Sequence, residues 1–232
     1  MITLYGFGPL WGLPDLGQFV TKVDIYLRMA ELSYKLEPYS IFALDQAPKG
    51  KLPFIEDDGE RIADSNFIIE HLQKKYGDKL DAHLSASEKA VMHAMCRMID
   101  ENVNWVLVQI RWRLDENWKP FMAEIFTEPE HLEQVAPQVR ESVLKQMWGQ
   151  GMERHSVDEV WHIGKADMGA IADYLDDKPF MMGDRPTSID ASVYSFLIHL
   201  QARFDSPIKS YIESRANLME YCARMKSRFY GD

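Results

Sequence analysis

The sequence predicts a small α/β domain followed by an all-helical one. Two observations carry this reading. Short apolar runs separated by turn residues, with one helical repeat among them, are confined to about the first 80 of the 232 residues. Beyond residue 84 the apolar residues recur at helical spacing and no strand pattern follows. The expected domains are residues 1–80 and 85–232, with Gly77 to Leu84 as the linker.

Ile2 to Phe7 reads as a first strand, followed by a long loop rich in glycine and proline (Gly8, Pro9, Gly12, Pro14). Phe19, Val20, Val23, Tyr26, Leu27 and Ala30 then repeat at the spacing of a helix of about four turns. Tyr34 to Ile41 reads as a second strand. Leu52-Pro53-Phe54-Ile55 reads as a third, entered through proline after the Ala47–Gly50 turn. Asp58-Gly59 is a hairpin turn, leading to a brief fourth strand at Arg61–Ala63. Ser65 then opens a helix carrying Ile68, Ile69 and Leu72.

In the helical half, one long helix is expected from about Ser85 to Trp118, with an apolar stripe through Val91, Met95, Met98, Trp105, Val106 and Trp112. Asn102 and Gln109 interrupt that stripe. Either part of the helix faces a polar cleft, or both side chains hydrogen-bond within a bundle. Ser156-x-x-Glu159 and Thr187-x-x-Asp190 are capping boxes, the second read as structural and worth about 1 kcal/mol. A last helix is expected near Ala216 to Phe229.

A formal net charge of −10 argues against nucleic acid or an anionic membrane surface as a partner, because both reward basic stripes. No apolar run approaches the roughly 18 residues of a membrane span. The first residues lack the basic and small-residue pattern of a leader, so the cytoplasm is the expected compartment. Cys96 and Cys222 lie far apart, which supports neither a disulfide framework nor a thiolate metal site. The seven histidines are scattered without ligand spacing, so no metal is expected.

Two segments carry chemistry. At Gly50-Lys51-Leu52-Pro53-Phe54 the proline demands a sheet edge or a special turn. A cis bond there would leave the Leu52 N–H and C=O free to pair with a peptide-like ligand, whereas an ordinary trans turn would not. At Ala63-Asp64-Ser65 a serine cap beside free backbone N–H groups suits a carboxylate, and Asp64 suits an ammonium. A simple capped helix is the alternative.

Taken in order, these motifs resemble the glutathione-transferase family across nearly the whole chain. The segments that carry the likeness are Trp11–Asp15, Tyr26–Ala30, Gly50–Ile55, Ile62–Leu72, Arg111-Trp112 and Phe180–Ala191. More narrowly, the chain resembles the branch related to the failed-axon-connections and metaxin proteins. The resemblance implies a thioredoxin-like N-terminal domain, a cis Pro53 and glutathione as co-substrate. In that frame Leu52 would hold the cysteinyl unit, and Asp64 and Ser65 the γ-glutamyl end. Lys51 and Lys49 would lie near the glycyl carboxylate. Asp64 stands where relatives often carry a longer Glu or Gln.

One departure bears on catalysis. Members of this branch commonly place a Ser before Pro-Phe at the start of the first helix, where its hydroxyl can stabilise the thiolate. Here the stretch is Leu16-Gly17-Gln18-Phe19, so the helix N-terminus at Gly17 and the Gln18 side chain remain. Tyr5 falls where tyrosine-type transferases keep a catalytic hydroxyl, though in related bacterial classes that tyrosine is structural. Trp11, Asn102, Trp105 and Arg111 are candidates for an apolar second-substrate pocket, with Arg111 facing either the cleft or a buried carboxylate. The expected function is addition of glutathione to a small hydrophobic electrophile or reduction of a peroxide, in a cytoplasmic homodimer with a role in detoxification. A non-catalytic binding or protein-interaction module is the alternative.

Overall fold

Alternating burial makes Ile2–Gly6 strand β1: Ile2 and Leu4 are buried against helices, while Thr3 and Tyr5 face the other side of the sheet. The computed structural model describes residues 1–231. Helix α1 (Gln18–Met29) crosses back so that β2 (Tyr34–Pro38) pairs with β1 in parallel, Ile2 opposite Tyr34. β3 (Phe54–Asp57) runs antiparallel to β1 with Tyr5 opposite Phe54, and β4 (Glu60–Ala63) completes the hairpin. The sheet order is β2-β1-β3-β4. Helix α2 (Ser65–Tyr76) lies beside α1, and its Ile68 and Leu72 join Leu4, Val20, Val23 and Ile55 in one core.

The second strand is shorter than its expected span to Ile41. It stops at Pro38, which has no N–H for the ladder, and Ile41–Gln46 forms a 3₁₀ helix capped by Ser40. The third strand begins only at Phe54, after the cis Leu52–Pro53 bond.

The expected long helix is also altered. It comprises α3 (Ala86–Met98), a π-helical turn at Ile99–Val103, α4 (Asn104–Val108) and a second π turn at Gln109–Arg113. It ends there, not at Trp118, because Leu114 is extended and Asp115–Ile125 is a separate helix, α5, with acidic residues in its first turn. Helix α6 (Pro129–Gln150) starts on a proline at N1, where the missing N–H costs nothing.

Helix α7 (Val157–Leu175) opens with the expected box: the Ser156 hydroxyl accepts from Glu159 N at 3.2 Å and the Glu159 carboxylate from Ser156 N at 2.8 Å. Helix α8 (Ser188–Gln201) packs on the face of α1 opposite the sheet, so α1 is buried nearly all round. The Asp190 carboxylate accepts from Met181 N, Thr187 N, Thr187 Oγ1 and Tyr221 Oη, which makes this box structural. Helices α9 (Pro207–Glu213) and α10 (Ala216–Tyr230) close the bundle.

Candidate functional site

The loop from Phe7 to Gly17 folds around a buried carboxylate. Asp15 Oδ2 accepts from Gly8 N and Oδ1 from Gly17 N, each at 2.7 Å. Gly6 has to be glycine here, since a Cβ would lie 2.3 Å from Asp15 Oδ2. Burial pushes the Asp15 carboxyl up to about 6, and backbone hydrogen bonds from Gly17, Gly8 and Phe7 only partly oppose that. Sequence reasoning missed Asp15, although an acidic residue just ahead of a helix start was a usable signal.

Gly17 is the N-cap of α1, and no side chain caps the helix. The first turn therefore presents N–H groups and the positive end of the helix dipole. The Gln18 amide is anchored, because its Nε2 uses one of its two N–H donors on Asn104 Oδ1 of α4 at 2.7 Å. Tyr5 lies away from this point. It shares the outer sheet face with Phe54 and Tyr39, its ring stacked at 4.4 Å on Phe54, and lines neither cavity described below.

Five of the sequence candidates meet in a cavity of about 180 Å³ between the sheet edge and α2: Lys51, Leu52, Pro53, Asp64 and Ser65, with Lys49 at its rim. No other described residue hydrogen-bonds to the Leu52 backbone. Ser65 is not the helix cap. Asp64 takes that place, with φ 83°, and its carboxylate accepts from Asn66 N at 2.9 Å. This frees the buried Ser65 hydroxyl, which has no hydrogen-bond partner among the described residues, for the cavity. The Lys51 ammonium donates to Gln146 at 3.1 Å, and Lys49 sits 4.4 Å over the Phe67 ring.

A second cavity of about 370 Å³ adjoins the α1 N-terminus and is lined by Gly17, Gln18, Arg111, Trp112 and Phe121 among others. Arg111 is buried without a carboxylate beside it. It donates to Leu16 O at 3.0 Å and to His199 Nδ1 at 2.8 Å. A guanidinium has only donors, so His199 accepts at Nδ1 and carries its proton on Nε2, facing Thr21 Oγ1 at 3.0 Å. Burial, then the Arg111 cation, holds His199 well below its ordinary 6.5 and hence neutral. Burial lowers Arg111 to about 9, which still leaves it charged at neutral pH.

The other second-substrate candidates do not line this cavity. Trp11 packs behind it, tilted against Phe121 and edge-on to Phe204, and donates its indole N–H to Glu124. Asn102 donates to Asp167 at 2.5 Å, and Gln109 is buried against Val157 O, so both bond within the bundle. Trp105 is half-buried against the core. Tyr39 and Ile41 do line the cavity and went unread, because both were drawn inside a second strand that in fact stops at Pro38. Among the described residues no group of three or more His, Cys, Asp or Glu is placed to hold a metal ion.

The chain matches the family model of the glutathione S-transferase N-terminal domain over residues 18–118 and that of the C-terminal domain over residues 164–225. It is 40% identical to the isoprene-epoxide–glutathione S-transferase of Rhodococcus sp. (strain AD45), over 99% of each chain. The chain belongs to the glutathione S-transferase family. Failed axon connections of Drosophila melanogaster is 30% identical over the whole of this chain and 59% of its own length, in keeping with the branch named above. Among solved structures, a beta-etherase from Sphingobium sp. strain SYK-6 superposes with a TM-score of 0.71 at 20% identity, covering 97% of this transferase chain and 95% of its own, which shows the shared fold.

Proposed function

We propose that this transferase binds glutathione in the cavity formed by Lys51, Leu52, Pro53, Asp64 and Ser65 and adds its thiol to a small electrophile held in the neighbouring cavity. The observation that carries the reading is the placement of an unpaired Leu52 backbone, a free Ser65 hydroxyl and the Asp64 carboxylate around one cavity. That set matches a peptide carrying both an ammonium and a carboxylate. The thiol would lie towards Gly17, where the N–H groups of α1 favour its ionised form. The full-length likeness to an isoprene-epoxide transferase makes small epoxides the first class to try. Calorimetric titration with glutathione, followed by a product assay with an aliphatic epoxide, tests the reading. Absence of heat at millimolar glutathione would reject it.

One observation favours the binding-module reading: Gly17 brings no hydroxyl to the α1 N-terminus, and Tyr5 lies on the far sheet face. A bound glutathione whose thiol titrates as it does in water would establish that alternative.

Our reading also divides the chain at residues 77–84, between α2 and α3, into domains of residues 1–80 and 85–232, and makes it a cytoplasmic homodimer acting in detoxification. Among the described residues no helix is long and apolar enough to cross a membrane. Light scattering at micromolar concentration, with a mass near twice 26.9 kDa, is the expected sign of the dimer.

A further inference from the structure

Arg111 is 5% exposed, yet no carboxylate among the described residues lies within ion-pairing distance. A buried cation without a counter-charge is costly, so such groups are ordinarily paired. Its two bonds go to neutral acceptors, the Leu16 carbonyl and His199 Nδ1. A guanidinium has five N–H donors, so others remain unused. The Trp11 and Phe121 rings flank it at 5.6 and 5.9 Å, and the group faces an otherwise largely apolar cavity. The carboxylate in that cavity wall, Glu124, is already held by the Trp11 indole N–H and by Arg203 at 2.9 Å.

We propose that Arg111 is a further catalytic residue, donating a hydrogen bond to the oxygen of the electrophile, and that the transferase therefore favours electrophiles on which negative charge develops at oxygen. This rests on the glutathione-transferase reading above. With an epoxide, the glutathione thiolate attacks a ring carbon. The new C–S bond takes the sulfur electron pair, the C–O bond breaks and its pair passes to oxygen. Arg111 holds that alkoxide as it forms. The proton lost when the thiol ionised is returned to the oxygen through solvent, so the products are a thioether and an alcohol on adjacent carbons. The donor is fixed before reaction, because His199 and Leu16 O hold the guanidinium in place. That is the condition under which such a donor lowers a barrier.

The test compares Arg111→Met with wild type on two substrates of equal chain length, an aliphatic epoxide and an alkyl iodide. The iodide leaves as a halide and needs no oxygen donor. The expected result is a drop of about 10²- to 10³-fold in kcat/KM for the epoxide relative to the iodide, the usual loss for one oxyanion donor. The ratio is independent of any fraction of misfolded variant, which lowers both rates alike. Glutathione affinity and the thiol pKa should be unchanged. Arg113→Met is the control, on the same π turn but outside both cavities; it should keep the wild-type ratio. Equal losses on both substrates, a raised thiol pKa in Arg111→Met, or a collapse of the ratio in Arg113→Met would each overturn the role of Arg111. If wild type conjugates neither substrate despite binding glutathione, the transferase reading itself fails.

Discussion

Lys22 on α1 and Asp100 in the first π turn form a buried ion pair at 2.8 Å, although 78 positions separate them. Asn66 completes the group, accepting from Lys22 at 2.9 Å and donating to Asp100 at 2.9 Å. Asn66 also donates its backbone N–H to Asp64, so the pair braces the loop that carries Asp64 and Ser65. Removing Asp100 leaves the Lys22 ammonium buried with no carboxylate within ion-pairing distance among the described residues, whereas Asp100 without Lys22 keeps the partly exposed Arg97 at 3.3 Å. Asp100→Leu should cost about 3–5 kcal/mol in a urea melt, Lys22→Met less, and the two together should recover most of the larger loss. A single variant as stable as wild type would show that the charge is solvated.

Headgroup recognition is separable from that bracing. Ser65→Ala removes a hydroxyl with no partner among the described residues, so its effect on folding should be small. Its effect on glutathione affinity should be about 1–3 kcal/mol, roughly 5- to 150-fold. Asp64→Asn keeps an oxygen for the Asn66 N–H and a residue type that tolerates φ 83°, so the helix cap survives. Calorimetry should then show weakened binding with an unchanged melting temperature. Unaltered affinity in both variants would remove these residues from the site.

How much of this was legible depends on how local each signal is. The order of strands and helices through α2 follows from alternation, the Asp-Gly turn and the Pro53 strand entry, all short-range patterns. Errors fell where a pattern ran past a stop signal: the second strand past Pro38, and the long helix past Arg113 despite Asp115-Glu116, which mark a new helix start. The glutathione-site candidates lie within 15 positions of one another, and the fold brings them to one cavity. Arg111 bonding to Leu16 O, or Lys22 meeting Asp100, depends on how distant elements dock, and no local pattern encodes that. Tyr5 was misplaced for a simpler reason. Period two puts it opposite Leu4, on the face away from the helices.

Acid pH should separate two aspartates of opposite sign. Burial alone would raise the Asp57 carboxyl, but hydrogen bonds from Lys75, His71 and Tyr76 outweigh it and hold the group at about 2, below its ordinary 3.8. Its contribution is therefore present above about pH 4 and lost as pH falls towards 2. Asp15 stands at about 6, above the same 3.8, so the folded state takes up its proton first and stability from this group rises as pH falls from 6 to 4. Denaturant melts against pH should show Asp57→Asn flattening the loss below pH 4. Asp15→Asn should remove a gain between pH 6 and 4. Parallel profiles for both variants would contradict the assignment.

Gly17→Ser asks whether the α1 N-terminus is limited by its missing hydroxyl. Gly17 has φ −87° and ψ 119°, an extended geometry open to any residue, so the backbone needs no glycine. The crowding is slight: a Cβ would meet Val20 Cγ2 at 3.1 Å and Asp15 Oδ1 at 3.2 Å, so both must give by a few tenths of an ångström. A serine N-cap regains only a few tenths of a kcal/mol over glycine, so stability should move little. The effect to look for is on sulfur. A hydroxyl donating to the bound thiolate would supply about 1.5–3 kcal/mol, or roughly one to two units of thiol pKa. Thiolate absorbance of bound glutathione against pH should show that fall, with faster conjugation wherever ionisation limits the rate. An unchanged thiol pKa at full glutathione occupancy would mean that the sulfur does not sit at the α1 N-terminus, and the orientation proposed for glutathione would have to be reversed.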